Sequence, residues 1–368
     1  MLYVKPNYYN QFKCIADKCE ATCCQGWQIV VDQASLERYE AENGAYGKTL
    51  KERIDWKEGV FCQDGQKRCA FLKDDNLCDM YEHLGEESLC VTCTNYPRHI
   101  EEFENVREIT LAISCPEVAR IILSQKEPVD FYEEEVEEGA EEMDDFDPFF
   151  FSYLEDARKI ILGILQNRDF AVPVREALVL NMAEEMQEVI DSDELFDLVD
   201  IFDKYESQDY LTEANRGLEK KIMAFYSDEK EQFAYKKAIF GRLYELEHLS
   251  DEWPDYIEEC FQLLYANGAE QYRWNSNKFV RAYAPLEVIT EQLLVYFVFT
   301  YLCGAVYDGN VIGKIRLSID SVTILRELFM ARWMQKDGKL SDKDVQQIVY
   351  RYSRELEHSD LNLETMED

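Results

Sequence analysis

The residues of this chain best suited to chemistry are the ten cysteines between Cys14 and Cys115. Nine of them fall into four groups: Cys14, Cys19, Cys23 and Cys24 in FKCIADKCEATCCQGW; Cys69 and Cys78 in RCAFLKDDNLC; Cys90 and Cys93 in LCVTCTNYPRH; and Cys115 in ISCPEVAR. Spacings of two to four residues let one turn present two sulfurs to one centre, as thiolate ligands of zinc or of an iron–sulfur cluster must do. Nine thiolates exceed the need of one four-coordinate site, which leaves room for two centres. Spacing alone leaves zinc and iron–sulfur both open. Unbound thiols at this density are an oxidation hazard. A merely hydrophobic role explains neither the adjacent Cys23 and Cys24 nor the polar residues around most of the thiols. Cys90 and Cys93 have redox-dithiol spacing but lack a βαβ setting. His83 and His99 are near enough in sequence to substitute as ligands. Cys62, in VFCQDGQ, lies outside the groups, and Cys260 and Cys303 sit in apolar helical context as core thiols. His248 and His358 read as helical surface residues with no site signal.

Composition limits what such a centre can serve. A net charge of −36 repels nucleic-acid phosphates and anionic membrane, and it favours a lysine-bearing protein as partner. Residues 1–13 (MLYVKPNYYNQFK) hold no continuous apolar run of the signal-peptide kind. A leaderless chain rich in cysteine is expected in the cytoplasm, where thiols stay reduced. The longest apolar stretch, Leu293 to Val306, is shorter than the roughly 20 residues a membrane span requires, so it reads as a buried core helix.

Three regions must position the thiols. With 46% hydrophobic residues, 13% aromatic, and only 15 Gly and 8 Pro in 368 residues, the chain can bury a large core and favours long helices. Residues 1–127 read as a small irregular cysteine-rich domain, with short helices at Ser35–Ala41 and Glu117–Ser124, the latter opened by Pro116. Residues 128–148 read as an acidic linker, because Glu133–Asp147 (EEEVEEGAEEMDDFD) is a like-charge run without a core pattern. Residues 149–358 read as an all-helical domain. Apolar residues recur at helical spacing over Phe150–Leu165, Val174–Ile190, Phe233–Leu249, Ala284–Val306 and Ile319–Met334. Phe170–Arg175 and Ser250–Pro254 read as loop breaks, and 359–368 as a polar, frayed tail. The expected fold class is mostly α.

The cysteine groups sit within a longer pattern: Phe12-x-Cys14, Cys19–Glu20, Thr22–Cys23–Cys24, Gly26–Trp27 and Asp32; Cys69–Ala70–Phe71–Leu72 and Leu77–Cys78; Gly85, Leu89–Cys90, Cys93 and Asn95–Tyr96–Pro97–Arg98; and Ser114–Cys115–Pro116–Glu117 with Ala119–Arg120. Across about residues 12–122 this pattern resembles the flagellin lysine-N-methylase family, departing from it at Ala70, where the family more often has Pro. A weaker likeness reaches cysteine-rich zinc- or iron-chelating domains. The resemblance implies S-adenosylmethionine-dependent methyl transfer to surface lysines of flagellin, with a 4Fe-4S cluster held by the nine grouped cysteines. The alternative is a non-catalytic, zinc-stapled protein-binding module.

Polar methyl transfer needs a neutral lysine amine, held in line with the methyl–sulfonium bond. Aromatic rings suit the cationic partners. Tyr96 is therefore the candidate catalytic residue, Trp27 and Arg98 the candidates for cofactor binding, and Tyr39 a further ring close to the groups. Arg98 has the fork to take a donor carboxylate. No Gly-rich strand–turn–helix of a Rossmann crevice is present; Asn43–Gly44–Ala45–Tyr46–Gly47 lacks the strand.

Overall fold

The computed structural model of the chain describes residues 1–139 and 146–368. Strand β1 (Leu2–Pro6) is followed by helices α1 (Gln33–Ala41) and α2 (Gly47–Arg53), a short ladder of β2 (Ile54–Asp55) and β3 (Val60–Phe61), and short helices α3 (Asp79–Leu84) and α4 (Val91–Asn95). The hairpin β4 (Arg98–Phe103) and β5 (Val106–Leu111), then α5 (Pro116–Ser124) and β6 (Phe131–Glu135), complete the front of the chain. Helices follow one another from there: α6 (Pro148–Leu165), α7 (Val172–Asp191), α8 (Leu198–Glu206), α9 (Gln208–Ser227), α10 (Glu229–Gly241), α11 (Trp253–Tyr265), α12 (Gly268–Ala282), α13 (Leu286–Tyr301), α14 (Ala305–Asp308), α15 (Val311–Gln335), α16 (Asp342–Glu357) and α17 (Asp360–Glu367). The mostly α expectation holds.

The front region is less irregular than its sequence suggests. Its four-stranded sheet has the order β4-β5-β1-β6, with β1 parallel to β5 and antiparallel to β6. Glu133–Glu135, read as the start of a linker, pair with Val4, Tyr3 and Leu2 of β1. An edge strand tolerates such charges because its outer rim faces water, and Glu134 meets Lys5 at 3.0 Å. The rest of the acidic run falls partly on residues 140–145, outside the described residues. It ends on Asp147, whose carboxylate caps α6 by accepting the Phe149 and Phe150 amides.

Two cores organise the front. Val31, Tyr39, Leu50, Phe61, Phe71 and Met80 form a small core of their own with Cys69 and Cys90. The sheet and α5, by contrast, contribute Val4, Phe103, Leu111, Ile113 and Val118 to the core of the helical body. Phe103 stacks on Phe151 of α6 at 4.5 Å. Beneath the sheet, Arg158 of α6 forms a two-pronged ion pair with Glu108 of β5, with 6% and 4% of their side chains exposed. The same guanidinium lies over the Phe299 ring at 4.3 Å.

In the helical body, α13 and α15 are buried on nearly all faces. The stretch Leu286–Asp308 is long and apolar enough to cross a membrane, yet 78% of its most apolar window is buried within the fold. Its carboxylate Glu291, 1% exposed, is held by Arg168 and Arg175 at 2.8 Å each. The expected loop breaks at Phe170–Arg175 and Ser250–Pro254 are present but shorter: Phe170–Ala171 and Ser250–Glu252 lie outside helices, and Pro173 and Pro254 already occupy the first turns of α7 and α11, where the missing N–H costs nothing. The tail expected to fray is α17. Asn362 and Met366 are fully buried there, and Asn362 accepts the Glu247 amide at 2.8 Å.

Candidate functional site at the cysteine groups

All twelve cysteines are free thiols. Cys260 and Cys303 are buried in the helical core, as their context suggested. Among the described residues, no group of three or more His, Cys, Asp or Glu side chains is placed to hold a metal ion. The nine grouped thiols nonetheless sort into two sets. Cys24, Cys69, Cys78, Cys90 and Cys93 lie in or against the small core. Cys69 feels the charges of Cys24, Cys78 and Cys90, and Cys93 those of Cys90, Cys24 and Cys69. Cys14, Cys19, Cys23 and Cys115 form the other set: Cys23 feels Cys14 and Cys115, Cys115 feels Cys19, and Cys19 feels Cys14. Cys23 interacts most strongly with its neighbour Cys24, so this adjacent pair bridges the two sets.

Local hydrogen bonds hold the first set. The Cys69 amide donates to the Cys24 carbonyl at 2.8 Å. Asp32 caps α1 through the Ser35 amide at 2.9 Å, and its other oxygen accepts the Val91 amide at 2.9 Å, fixing the start of α4. Tyr39 is buried in the small core, and its hydroxyl donates to the Ser88 carbonyl at 2.6 Å. These contacts set the turn that carries Cys90 and Cys93. The Cys93 thiol lowers Cys90 to about 7 by hydrogen bonding, aided by first-turn amides of α4. Cys24 is lowered to about 7 mainly by the Cys23 thiol, with help from Thr22 and Arg68. Cys23 and Cys93 are pushed up correspondingly. In each hydrogen-bonded pair one thiol is therefore held below the ordinary thiol range and its partner above it. Burial raises Cys69 to about 12 and Cys115 to about 11.

Of the sequence candidates, Trp27 and Tyr96 are brought together, with ring centroids 5.9 Å apart. The Trp27 indole N–H donates to the Cys23 carbonyl at 2.7 Å, and Tyr96 shares a 3.2 Å hydrogen bond with Ser114 beside Cys115. Arg98 lies apart from this pair. Its Nε donates to the Tyr9 hydroxyl at 3.1 Å, and it has no ion-pair partner among the described residues. His83 stacks on Tyr46 at 4.6 Å and pairs with Asp79, and His99 pairs with Glu101 at 2.9 Å, so neither joins the thiols.

His358 completes the ring cluster, although its sequence context suggested a plain surface position. Its ring lies 5.3 Å from Trp27 and 6.3 Å from Tyr96, and Nε2 is 3.0 Å from the Ser114 hydroxyl. Burial and then the Arg354 charge lower it to about 4, so the imidazole is neutral at pH 7. The sequence reading also missed Arg354, which donates to the Ser114 carbonyl at 3.0 Å and the Ala21 carbonyl at 2.6 Å. It thereby clasps the segments bearing Cys19–Cys24 and Cys115. Further along α16, Lys343 pairs with Glu20 at 2.8 Å, Gln347 and Tyr350 donate to the same carboxylate, and Gln346 donates to the Pro116 carbonyl. Positions 343, 347, 350, 354 and 358 recur at helical spacing along one face. That polar periodicity was the available signal, but polar residues at this spacing usually face solvent.

One buried acid supports the same segment. Glu357 accepts the Tyr296 hydroxyl at 2.8 Å, and Tyr296 in turn accepts the Ile113 amide at 3.1 Å. Burial raises Glu357 from an ordinary 4.5 to about 7. The folded chain therefore keeps a proton that the unfolded chain releases, and this contribution to stability is lost as pH rises from about 4.5 to about 7. Glu355 is raised to about 7 by burial and acts in the same direction, while the lowered His358 opposes both below its ordinary 6.5. Glu357→Gln is expected to remove about 2–3 kcal/mol of the stability lost between pH 5 and 7. Urea midpoints of both proteins across that range measure it; parallel pH profiles would show that Glu357 does not titrate there.

Residues 158–368 match the family model described as the FliB lysine N-methylase C-terminal domain. The chain belongs to this family. It is 29% identical over 129 residues to the flagellar biosynthetic protein FliU of Salmonella muenchen, a segment covering 33% of this chain and 76% of that protein. It is 28% identical over 129 residues to the lysine-N-methylases of Salmonella typhimurium and Salmonella choleraesuis, covering 33% of this chain. The matched segment spans about a third (32%) of each of those two methylases. No solved structure matches.

Proposed function

We propose that this chain is a protein-lysine N-methyltransferase that modifies surface lysines of flagellin in the cytoplasm, with S-adenosylmethionine as methyl donor and an iron–sulfur centre on its grouped cysteines. One observation carries the reading: α16, inside the region that matches the methylase family, docks Lys343, Gln346, Gln347, Tyr350, Arg354 and His358 onto the cysteine-bearing segments. The donor set suits the group in kind, since nine reduced, mostly part-buried thiols are soft ligands and a neighbouring thiol holds two of them below the ordinary thiol range. An iron–sulfur cluster with one iron left open supplies, when bound, a coordination position for the amino-carboxylate of S-adenosylmethionine.

The chain's own residues do the rest. Trp27 and Tyr96 offer ring faces to a sulfonium or an amine, and Tyr96 is the residue proposed to touch the reacting amine. Their partly buried surroundings favour the neutral form of an incoming lysine, which transfer requires. Arg98, exposed and without an acidic partner among the described residues, is free to take a carboxylate. The global acidity of the chain attracts a lysine-rich surface.

The test is anaerobic purification, metal and sulfide analysis, and intact-mass measurement of flagellin after incubation with S-adenosylmethionine. Iron with matching sulfide, broad visible absorption and mass gains in whole methyl steps are expected. Tightly held zinc without iron, and no mass gain, would replace this reading with a zinc-stapled binding module.

A further inference from the structure

The helical body contains a cavity of about 380 Å³ between α7, α10, α12, α13 and α15, remote in sequence from the thiols. That volume lies in the usual range for small-molecule sites. Its floor is cationic in a chain of net charge −36. Lys236 lines it with only 8% exposure, and its ammonium has no hydrogen bond or ion pair among the described residues. Burial, and then the Arg326 charge, hold that ammonium below its ordinary range. Arg326 also lines the cavity. Its Nη1 is buried without a hydrogen-bond partner, with the nearest carboxylate, Glu176, at 3.6 Å. Leaving charged donors buried and unmet is costly.

Glu176 meets Arg326 only loosely, at 3.6 Å, and Glu327, which lines the cavity, is already engaged. Its two oxygens accept the Tyr265 and Tyr272 hydroxyls at 2.8 and 2.9 Å. A second acid, Glu287, stands exposed at the rim, and the parallel rings of Phe279 and Tyr283, 6.0 Å apart, form an apolar wall. One unpaired ammonium and one guanidinium nitrogen without a hydrogen bond inside, one carboxylate at the mouth and an apolar wall match an α-amino carboxylate: its carboxylate takes Lys236 and Arg326 Nη1, its ammonium takes Glu287, and its side chain lies on the rings. A phosphate dianion carries a second negative charge beside Glu327 and lacks the ammonium that would pair with Glu287.

We propose that this cavity is a binding site for an amino-carboxylate ligand, separate from the cysteine groups. The ligand is either a free amino acid or a molecule carrying that head group, as S-adenosylmethionine and its demethylated product do. The site rests on and deepens the methyltransferase reading only in the second case, and it then holds the head group here in place of the iron–sulfur centre and Arg98.

Binding is read by calorimetry on the full chain, purified anaerobically, with L-methionine, S-adenosylhomocysteine and inorganic phosphate as separate probes and no flagellin present. Saturable binding of at least one of the first two is expected, weakened about tenfold to a hundredfold in both Lys236→Met and Arg326→Gln. Hydrogen exchange should show protection in α10, α12 and α15. Methionine binding alone would mark a free amino-acid site; tighter S-adenosylhomocysteine would mark the nucleoside-bearing form. No binding of either, equal binding in folded variants, or phosphate binding as tightly would overturn the proposal. Methyl transfer is measured separately, so failure here leaves the reading of the enzyme standing or falling on its own assay.

Discussion

Arg158→Met is expected to destabilise the folded chain by about 3–5 kcal/mol, the cost of leaving one member of a buried ion pair alone. Glu108, 4% exposed, sits mid-strand in β5 between Val4 of β1 and Glu101 of β4. With Arg158 removed, that buried carboxylate loses both guanidinium donors. The same substitution removes the bond to the Phe299 carbonyl at 3.2 Å and the cation over the Phe299 ring. The double variant Arg158→Met, Glu108→Met should recover most of the loss, because an apolar pair of similar volume removes both desolvation costs. Urea unfolding of the three proteins tests this. A single variant within about 1 kcal/mol of wild type would mean that the pair is solvated in solution.

Arg354→Gln is expected to have the largest effect on the thiol region. Its two carbonyl partners are backbone groups of the Cys19–Cys24 and Cys115 segments, and each charge-assisted bond contributes roughly 1.5–3 kcal/mol. A glutamine is shorter and neutral, so Cys14, Cys19, Cys23 and Cys115 lose the clasp that brings them together. Iron content should fall, and methyl transfer should drop about tenfold to a hundredfold, while the urea midpoint of the helical body changes little. Arg351→Gln is the control, since Arg351 lies over Tyr256 at 4.7 Å and has no hydrogen bond to either cysteine-bearing segment among the described residues. Equal iron content and activity in the two variants would remove Arg354 from the site.

Much of this was legible in the sequence. Helices such as α6 and α7 follow from apolar spacing, whereas the Phe233–Leu249 pattern is α-helical only as far as Gly241; Trp27 and Tyr96 were visible as rings beside cysteines, but not their contact with each other. The sheet was hidden for a physical reason: β6 is written FYEEE, and only its pairing with β1 separates an edge strand from a charge run. α17 was hidden because its buried residues include Asn362, whose amide bonds to the Glu247 and Glu355 carbonyls replace water. His358 and Arg354 were not legible at all. Their partners lie hundreds of positions away, and a one-dimensional pattern does not distinguish a polar face that meets another segment from one that meets solvent.

The distance between those partners also sets a schedule. Ser114 and Arg354 are separated by 240 positions in the chain. At a synthesis rate of roughly 5–20 residues per second, the cysteine-bearing segments leave the ribosome some 12–48 s before the helix that covers them. During that interval Cys14, Cys19, Cys23 and Cys115 lack the α16 face that shields them afterwards. Assembly of this region therefore waits for α16, well after the thiols themselves are made.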